Sequence, residues 1–568
     1  MSTQPLSNGG LQAAAFEMLL DAIGKNLSSV IQQLLNSYPN LIHLKGWHGI
    51  SPLHKACLIG DYNIVLMLIQ ANSDVNCLTD HQETPLHYAS KRGLPSVVHL
   101  LVQCGARIQA LDNAGRNALH HAAESGSVQV MKYFEEAFEV NMREQDKKLQ
   151  TPMHITCRHG HLDLFYFLMQ KGRTDLRQAD SEGNLPLHIA CKNGFGHMAW
   201  SMLCILGVGS LHLRNNDGYT PLDLALQGDS FGHKELIPVL TYLSQQHESV
   251  PVNGPITMWY GWMLYPLVVY SLVTWITQRL ASYQFLVYLC ACVMAVVQLN
   301  GISHRMNHVC RWPNPIYAGF FAAGIIHTSF CYYWLIFPYL IDIWWICLLS
   351  VTICPLLHVI FWILIRKEAG AVVTSVKEPV SRKPMRLVDL CMTQNPPFNY
   401  CPVCDLVINN MTKHCRLCNR CFLYLDHHCL FLLKCVAAEN HPLFLWMLIL
   451  AIVNMFFFVV GCVLYTLIIC PHTAWTEILW QLFHQQAWPL SLCIVNIIFI
   501  FWCVGLLYSQ YTTVTRGCTS YVSSFEARNF PLTRRQAMTN FIHFLLKMPM
   551  PHRNPHSLIH SSEMAIFT

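Results

Sequence analysis

Apolar positions are segregated along this chain. Before residue 250 they form short stretches broken by polar turns. Beyond it they fuse into runs of about 20 residues, the length of helix that crosses a hydrocarbon core. Six membrane-spanning helices are predicted, at roughly 257–276, 282–299, 316–337, 339–365, 443–469 and 488–510. Polar and small residues interrupt the first two. A polar, cysteine-rich segment, 366–442, separates the fourth run from the fifth, and a tail, 511–568, follows the sixth. In the tail, Arg534–Met548 sets Phe541, Phe544, Leu545 and Met548 on one helical face. That pattern suits a helix lying on a membrane or one packed against a neighbouring module. Asn454 and Asn496 are polar positions inside spans, suited to hydrogen bonding between helices or to lining a cavity.

The segment before the spans is periodic. Pro52-Leu53-His54, Pro85-Leu86-His87, Ala118-Leu119-His120, Pro152-Met153-His154 and Pro186-Leu187-His188 recur every 33 or 34 residues, and Pro221-Leu222-Asp223 is a degenerate sixth copy. A glycine and a Leu/Val-rich second helix follow each of the five. This resembles the ankyrin repeat, whose units stack into a solenoid because one alone buries too little. The motif histidines are read as architectural, bonding to neighbouring backbone or side chains. Tyr88 falls where the concave face is expected, as a peptide anchor or as surface filler. The segment 1–46, helical over 11–46, is predicted as a cap or divergent repeat, 47–243 as the repeats and 244–256 as a linker.

Composition and charge place the rest. With 53% hydrophobic and 12% charged residues, a soluble protein of 568 residues is excluded. The segment 366–442 carries ten Lys or Arg and 471–487 carries none, so the positive-inside rule puts the cysteine-rich segment in the cytosol. Six spans then leave both termini cytosolic. The 25 cysteines are not arranged as a secreted disulfide framework. No nucleic acid is expected as a partner.

Seven cysteines and four histidines lie within 401–441. Two structural zinc sites of three cysteines and one histidine each would use six of those cysteines and two of the histidines. One thiol remains, with a spare histidine beside an aspartate: the ingredients of a nucleophile, a base and its orienter. The spacing C-x2-C-x9-H-C-x2-C-x2-C-x4-D-H-H-C-x5-C resembles that of the DHHC protein S-acyltransferases, zinc-containing enzymes that palmitoylate cysteines. The resemblance implies that Cys401, Cys404, His414 and Cys421 hold one Zn2+, and Cys415, Cys418, His428 and Cys435 a second. It implies Cys429 as the nucleophile acylated by palmitoyl-CoA, His427 as general base and Asp426 as its orienter. Asn440 and Phe444 fit the N-x3-F that ends the module. Lys413, Arg416, Arg420 and Lys434 could meet the CoA phosphates or serve as membrane-surface charges.

The chain departs from the family pattern around these residues. Leu430 and Phe431 stand for the usual Pro-Trp, Asn409 and Met411 for a Pro and an Arg, Lys434 for an Asn and Ala437 for a Gly. In Thr512-Thr513-Val514-Thr515, Thr515 replaces the glutamate of a TTxE motif. The fold expected is all-α: a cytosolic ankyrin-repeat solenoid followed by a six-helix transmembrane bundle (257–365 and 443–510) with an inserted zinc-binding cysteine-rich domain. This order resembles the ankyrin-containing palmitoyltransferases related to the huntingtin-interacting enzyme. That branch recruits substrates through short motifs and resides in Golgi and related membranes. A catalytically weak scaffold is the competing reading. A cation channel shares the order of repeats and spans, but the segment 471–487 offers only Glu477 as an acidic pore residue.

Overall fold

Five of the six repeats begin with the same local device. Ser51, Thr84, Asn117, Thr151 and Thr220 precede the first helix of their repeats, and His54, His87, His120, His154 and Asp223 close a capping box with them from the third helical position. The computed structural model describes residues 8–247, 252, 256–279, 286–287, 290, 314–377, 383–391, 398–470, 475–484, 486–517, 519 and 532–548. They form two compact units: the first takes in the described residues up to 252 and those within 374–410, and the second those within 256–373 and from 411 onward.

In the first unit the helices Asn8–Gly24 and Ser28–Ser37 precede six helix pairs, from Pro52–Ile59 with Tyr62–Gln70 to Pro221–Leu226 with Phe231–Ser244. Leu53, Leu86, Leu119, Met153 and Leu187 from the first helices are buried against neighbouring repeats. Gly60 ends its helix at φ +87°, and a Cβ there would lie 2.4 Å from the Leu94 side chain, so only glycine fits. The motif histidines act between repeats. The backbone N–H of Thr84 donates to His87 Nδ1 at 2.9 Å, which leaves Nε2 to donate to the Ala110 carbonyl at 3.1 Å. His54, His120, His154 and His188 reach Glu83, Gln150, Asn184 and Leu213 in the same way. In the sixth copy Asp223 keeps the cap, accepting from the Thr220 N–H at 2.9 Å, which explains the degenerate motif.

These buried histidines make the array acid-sensitive. Burial lowers the pKa of His54 and of His87 to about 4, and lowers those of His120, His154 and His188. The unfolded chain takes up those protons near pH 6.5, and so binds more protons than the folded one between 6.5 and 4. Stability is therefore full above pH 6.5 and falls as pH drops toward 4, by up to ~3 kcal/mol for each fully shifted histidine. Thermal melts followed across that range, with hydrogen exchange at the repeats, should show the loss. A flat profile over the repeats would contradict it.

Helices alone do not describe the cysteine-rich segment. Among its described residues lie seven short strands: β1 (Ala371–Val372), β2 (Phe398–Cys401), β3 (Leu406–Asn409), β4 (Thr412–Cys415), β5 (Arg420–Leu423), β6 (His427–Cys429) and β7 (Lys434–Val436). They pair antiparallel as β2–β3, β1–β5–β4 and β6–β7. Two C-x2-C pairs occupy hairpin turns, closed by Asp405 and Asn419 in left-handed backbone at φ 54° each, a conformation that Asn and Asp tolerate. This is why a module predicted within an all-α fold is β-structured.

The β2–β3 hairpin belongs to the first unit and is tied to its helices. Asp405 receives Lys132 at 3.0 Å, Lys171 at 2.7 Å and Arg173 at 2.8 Å, and the Tyr400 hydroxyl donates to it at 2.8 Å. Gln170 Nε2 donates to the Val403 carbonyl inside the first C-x2-C turn at 2.6 Å. Burial works against the Asp405 charge, but these three cations and the tyrosine outweigh it and hold its pKa well below the usual carboxylate range.

In the second unit, four helices among the described residues are long and apolar enough to cross a membrane: Ile316–Leu340, Trp344–Arg366, His441–Ile469 and Ala487–Thr515. They correspond to the last four expected spans. The first expected span is the 24-residue helix Ile256–Arg279, whose tyrosines, tryptophans, threonines and Pro266 dilute its apolar character, and it is not among the four. The second expected span, 282–299, lies almost entirely outside the described residues. Asn496 donates to Thr328 Oγ1 at 3.2 Å, a hydrogen bond between helices as expected of a packing role. Asn454 lines a small cavity with Thr328, Tyr332 and Ser350. The tail helix Arg534–Leu545 packs inward: Phe541, Phe544 and Leu545 join a cluster with Phe444, Val514 and Cys429, and Asn540 donates to the Thr515 carbonyl at 2.9 Å. Packing accounts for Phe541, Phe544 and Leu545 on its apolar face, while Met548 is exposed.

Candidate active site

The β6–β7 hairpin sets the site. Asp426 precedes β6 and is fixed by its N–H, which donates to the Val436 carbonyl at 2.9 Å. Its carboxylate is fully buried, and Oδ2 accepts from His427 Nδ1 at 2.7 Å. That bond keeps a proton on Nδ1 and leaves Nε2 as the nitrogen that can share a proton with a neighbouring thiol. Phe444 holds the ring from its edge, with centroids 5.3 Å apart. Burial works against charging His427. Its hydrogen bonds to Asp426 and to the Cys429 thiol outweigh burial and raise its pKa to about 9. Cys429 ends β6, is buried, and belongs to neither group of metal-ligating residues.

Those two groups have the composition expected. Cys401 and Cys404 lie at the β2–β3 turn of the first unit, and His414 and Cys421 are paired across β4 and β5 in the second. The ligand atoms of Cys415, Cys418, His428 and Cys435, all in the second unit, lie within 4.8 Å of one another. In the second group Cys418 and Cys435 sulfurs are 3.3 Å apart, and His428 Nδ1 is 3.3–3.7 Å from the three sulfurs. Zn–S bonds of about 2.3 Å in a tetrahedron put sulfurs about 3.8 Å apart, so the donors converge as a zinc ion requires. No disulfide joins any of the described cysteines. Asn440 fastens the loop beyond the last ligand, accepting from the Ala437 N–H and donating to the Cys435 carbonyl, each at 2.9 Å.

Comparison with known proteins now bears on the site. The family model of the DHHC palmitoyltransferases matches residues 394–525, and that of ankyrin repeats matches 19–112 and 98–180. This chain is an ankyrin-repeat DHHC protein. A search of curated proteins gave no match. Among solved structures, the ankyrin repeat domain of human ASB11 is similar at 24% identity and a TM-score of 0.35, over 40% of this chain and 98% of that domain.

The departures of this DHHC protein acquire physical reasons. Phe431 stacks edgewise on Trp502 of the Ala487–Thr515 helix and on Phe321 and Tyr317 of the Ile316–Leu340 helix, with centroids 5.3, 5.9 and 6.3 Å away, so an aromatic still anchors the loop after Cys429. Thr515 is buried and its carbonyl accepts from Asn540 of the tail helix. Of the cations expected to meet CoA, Lys434 is committed elsewhere. It donates to the carbonyls of Ile365 at 2.6 Å and Lys367 at 2.8 Å, capping the C-terminus of the Trp344–Arg366 helix. Lys413 is half-buried on β4, while Arg416 and Arg420 are exposed on the same hairpin. Tyr88 is half-buried, edge-on to His54 at 5.2 Å.

Two residues near Asp426 were not legible as site residues. Gln510 donates to Asp426 Oδ2 at 2.7 Å, and its Oε1 lies 2.7 Å from His441 Nε2. They stand 84 and 15 residues from Asp426, outside any motif spacing read in the sequence. Their only sequence signal was a polar residue at each end of the long apolar pair of helices, His441–Ile469 and Ala487–Thr515.

Proposed function

We propose that the chain is a protein S-acyltransferase that moves a palmitoyl group from palmitoyl-CoA to cysteines of proteins at the cytosolic face of a membrane, through an acyl-Cys429 intermediate. The observation that carries this reading is the buried Asp426–His427 pair beside a thiol that both Cys/His groups leave over. His427 Nε2 takes the proton of Cys429, and the flanking carboxylate favours the resulting imidazolium beside the thiolate. The sulfur attacks the thioester carbonyl; the carbon–sulfur bond to CoA breaks, and CoA leaves with the proton. An acceptor cysteine thiol then attacks acyl-Cys429 by the same proton path, and Cys429 is regenerated. Each step exchanges one thioester for another, so positioning carries most of the demand. Zinc, where bound, would fix the hairpins that hold these side chains.

Cys429 packs with Leu357 and Leu364 of one span and Phe444 and Leu445 of another, an apolar setting suited to an acyl chain. Arg416 and Arg420 remain available for CoA phosphates. The repeats would raise the local concentration of an acceptor cysteine by holding a short motif elsewhere on the substrate. The division into a cap, repeats at 47–243, spans, the cytosolic module 366–442 and a cytosolic tail, together with residence in Golgi or related membranes, completes the proposal.

The test is single-turnover labelling in detergent with alkyne-tagged palmitoyl-CoA. Wild-type protein is expected to carry label that neutral hydroxylamine removes, and Cys429→Ser to carry none. Unlabelled wild type that is folded and zinc-loaded would favour a scaffold with a structural metal module.

A further inference from the structure

The hydrogen bonds around Asp426 form a directed chain that reaches into the membrane helices. A carboxylate only accepts, so the Gln510 group 2.7 Å from Asp426 Oδ2 must be the amide N–H. The Gln510 carbonyl oxygen is then the acceptor for His441, whose Nε2 donates at 2.7 Å. Donation thus runs from His441 to Gln510 to Asp426, and His427 Nδ1 donates to the same oxygen from the other side. Asp426 is fully buried, and Gln510 and His441 are each 3% exposed, so water is excluded as a substitute partner. His441 is itself held by Phe544 of the tail helix, edge to face with centroids 5.1 Å apart.

We propose that Gln510, oriented by His441, is a positioning residue for acyl transfer. It fixes the rotamer of the Asp426 carboxylate, and through it the tautomer and orientation of His427 toward Cys429. A carboxylate with one partner can turn about its terminal torsion; one whose Oδ2 is shared by two donors from opposite elements is pinned. The link makes the last membrane helix part of the reaction centre. It depends on the acyl-Cys429 reading, and its test separates the two.

The experiment measures single-turnover labelling of Cys429 by alkyne-tagged palmitoyl-CoA in the full chain. Gln510→Met keeps side-chain length and removes both hydrogen bonds. It is expected to slow labelling about 10–100-fold, with zinc content and the palmitoyl-CoA concentration for half-maximal rate unchanged. In an Asp426→Asn background the same change should cost nothing further, because both act through one carboxylate. His441→Phe retains the ring against Phe544 and loses the donor. It is expected to slow labelling several-fold with the same non-additivity, and it decides the matter if Gln510→Met does not fold. Wild-type rates in both variants, or losses that simply multiply with Asp426→Asn, overturn the proposal while leaving Cys429 as nucleophile. Unlabelled wild type overturns the acyl-enzyme reading and the positioning role with it.

Discussion

Cys435→Ser is expected to abolish both the fold of the β6–β7 hairpin and acylation of Cys429. Cys435 is fully buried and faces Cys415, Cys418 and His428, and its own carbonyl receives Asn440. Its neighbour Val436 provides the carbonyl that holds the Asp426 N–H. Structural zinc in small modules contributes roughly 10–16 kcal/mol at neutral pH, as much as the whole stability of an ordinary domain. The strands here are two to four residues long, too short to stand on their own hydrogen bonds. Losing one ligand should therefore release the metal and let the hairpin open, with protection of amides in 412–436 lost in hydrogen exchange. Zinc per chain should fall from two to one or none. A strong chelator acting on wild type should reproduce both losses, and re-addition of zinc should restore them. Full zinc content and wild-type labelling in Cys435→Ser would show that the second group is not a metal centre.

How far the sequence anticipated this depends on whether a feature was local. The repeats were legible because the copies vary little from a Pro-Leu-His start, and one backbone N–H on Nδ1 with one carbonyl acceptor for Nε2 explains every histidine at that position. The metal groups were legible because zinc dictates both donor type and spacing within a turn. What escaped was set by packing between distant segments. Lys434 read equally as a phosphate ligand or a membrane-surface charge; a helix end 67 to 69 residues upstream receives its ammonium. The tail helix read as membrane-bound or packed, and the contact of Phe541 with Tyr511, with centroids 5.1 Å apart, shows packing that the sequence alone did not distinguish. Strands of three or four residues interrupted by ligands show no alternation to detect, so the β-hairpins were missed. Gln510 and His441 stood out only as polar residues at the ends of apolar helices, since their role exists only once two helices converge on Asp426.

His427→Ala is expected to cut the single-turnover acylation rate of Cys429 by about 10²–10⁴-fold, the usual contribution of a positioned proton acceptor. The ring is the one titratable partner described for the Cys429 thiol. Its proton relationship to that thiol is set by Asp426, not by solvent, because the carboxylate is fully buried. Asp426→Asn tests the second half of that statement. An amide in place of the carboxylate can present its N–H to His427 Nδ1, which would favour the tautomer with the proton on Nε2, turned toward the thiol it should deprotonate. The loss should thus approach that of His427→Ala even though the ring is still present. Both variants keep all eight Cys/His ligands, so zinc content should stay at two per chain, which separates a chemical defect from collapse of the module. Near-wild-type acylation by His427→Ala with zinc retained would move the base elsewhere. Among groups near Cys429 that outcome would leave the thiol to be activated by its surroundings alone, and Asp426 with only a structural task.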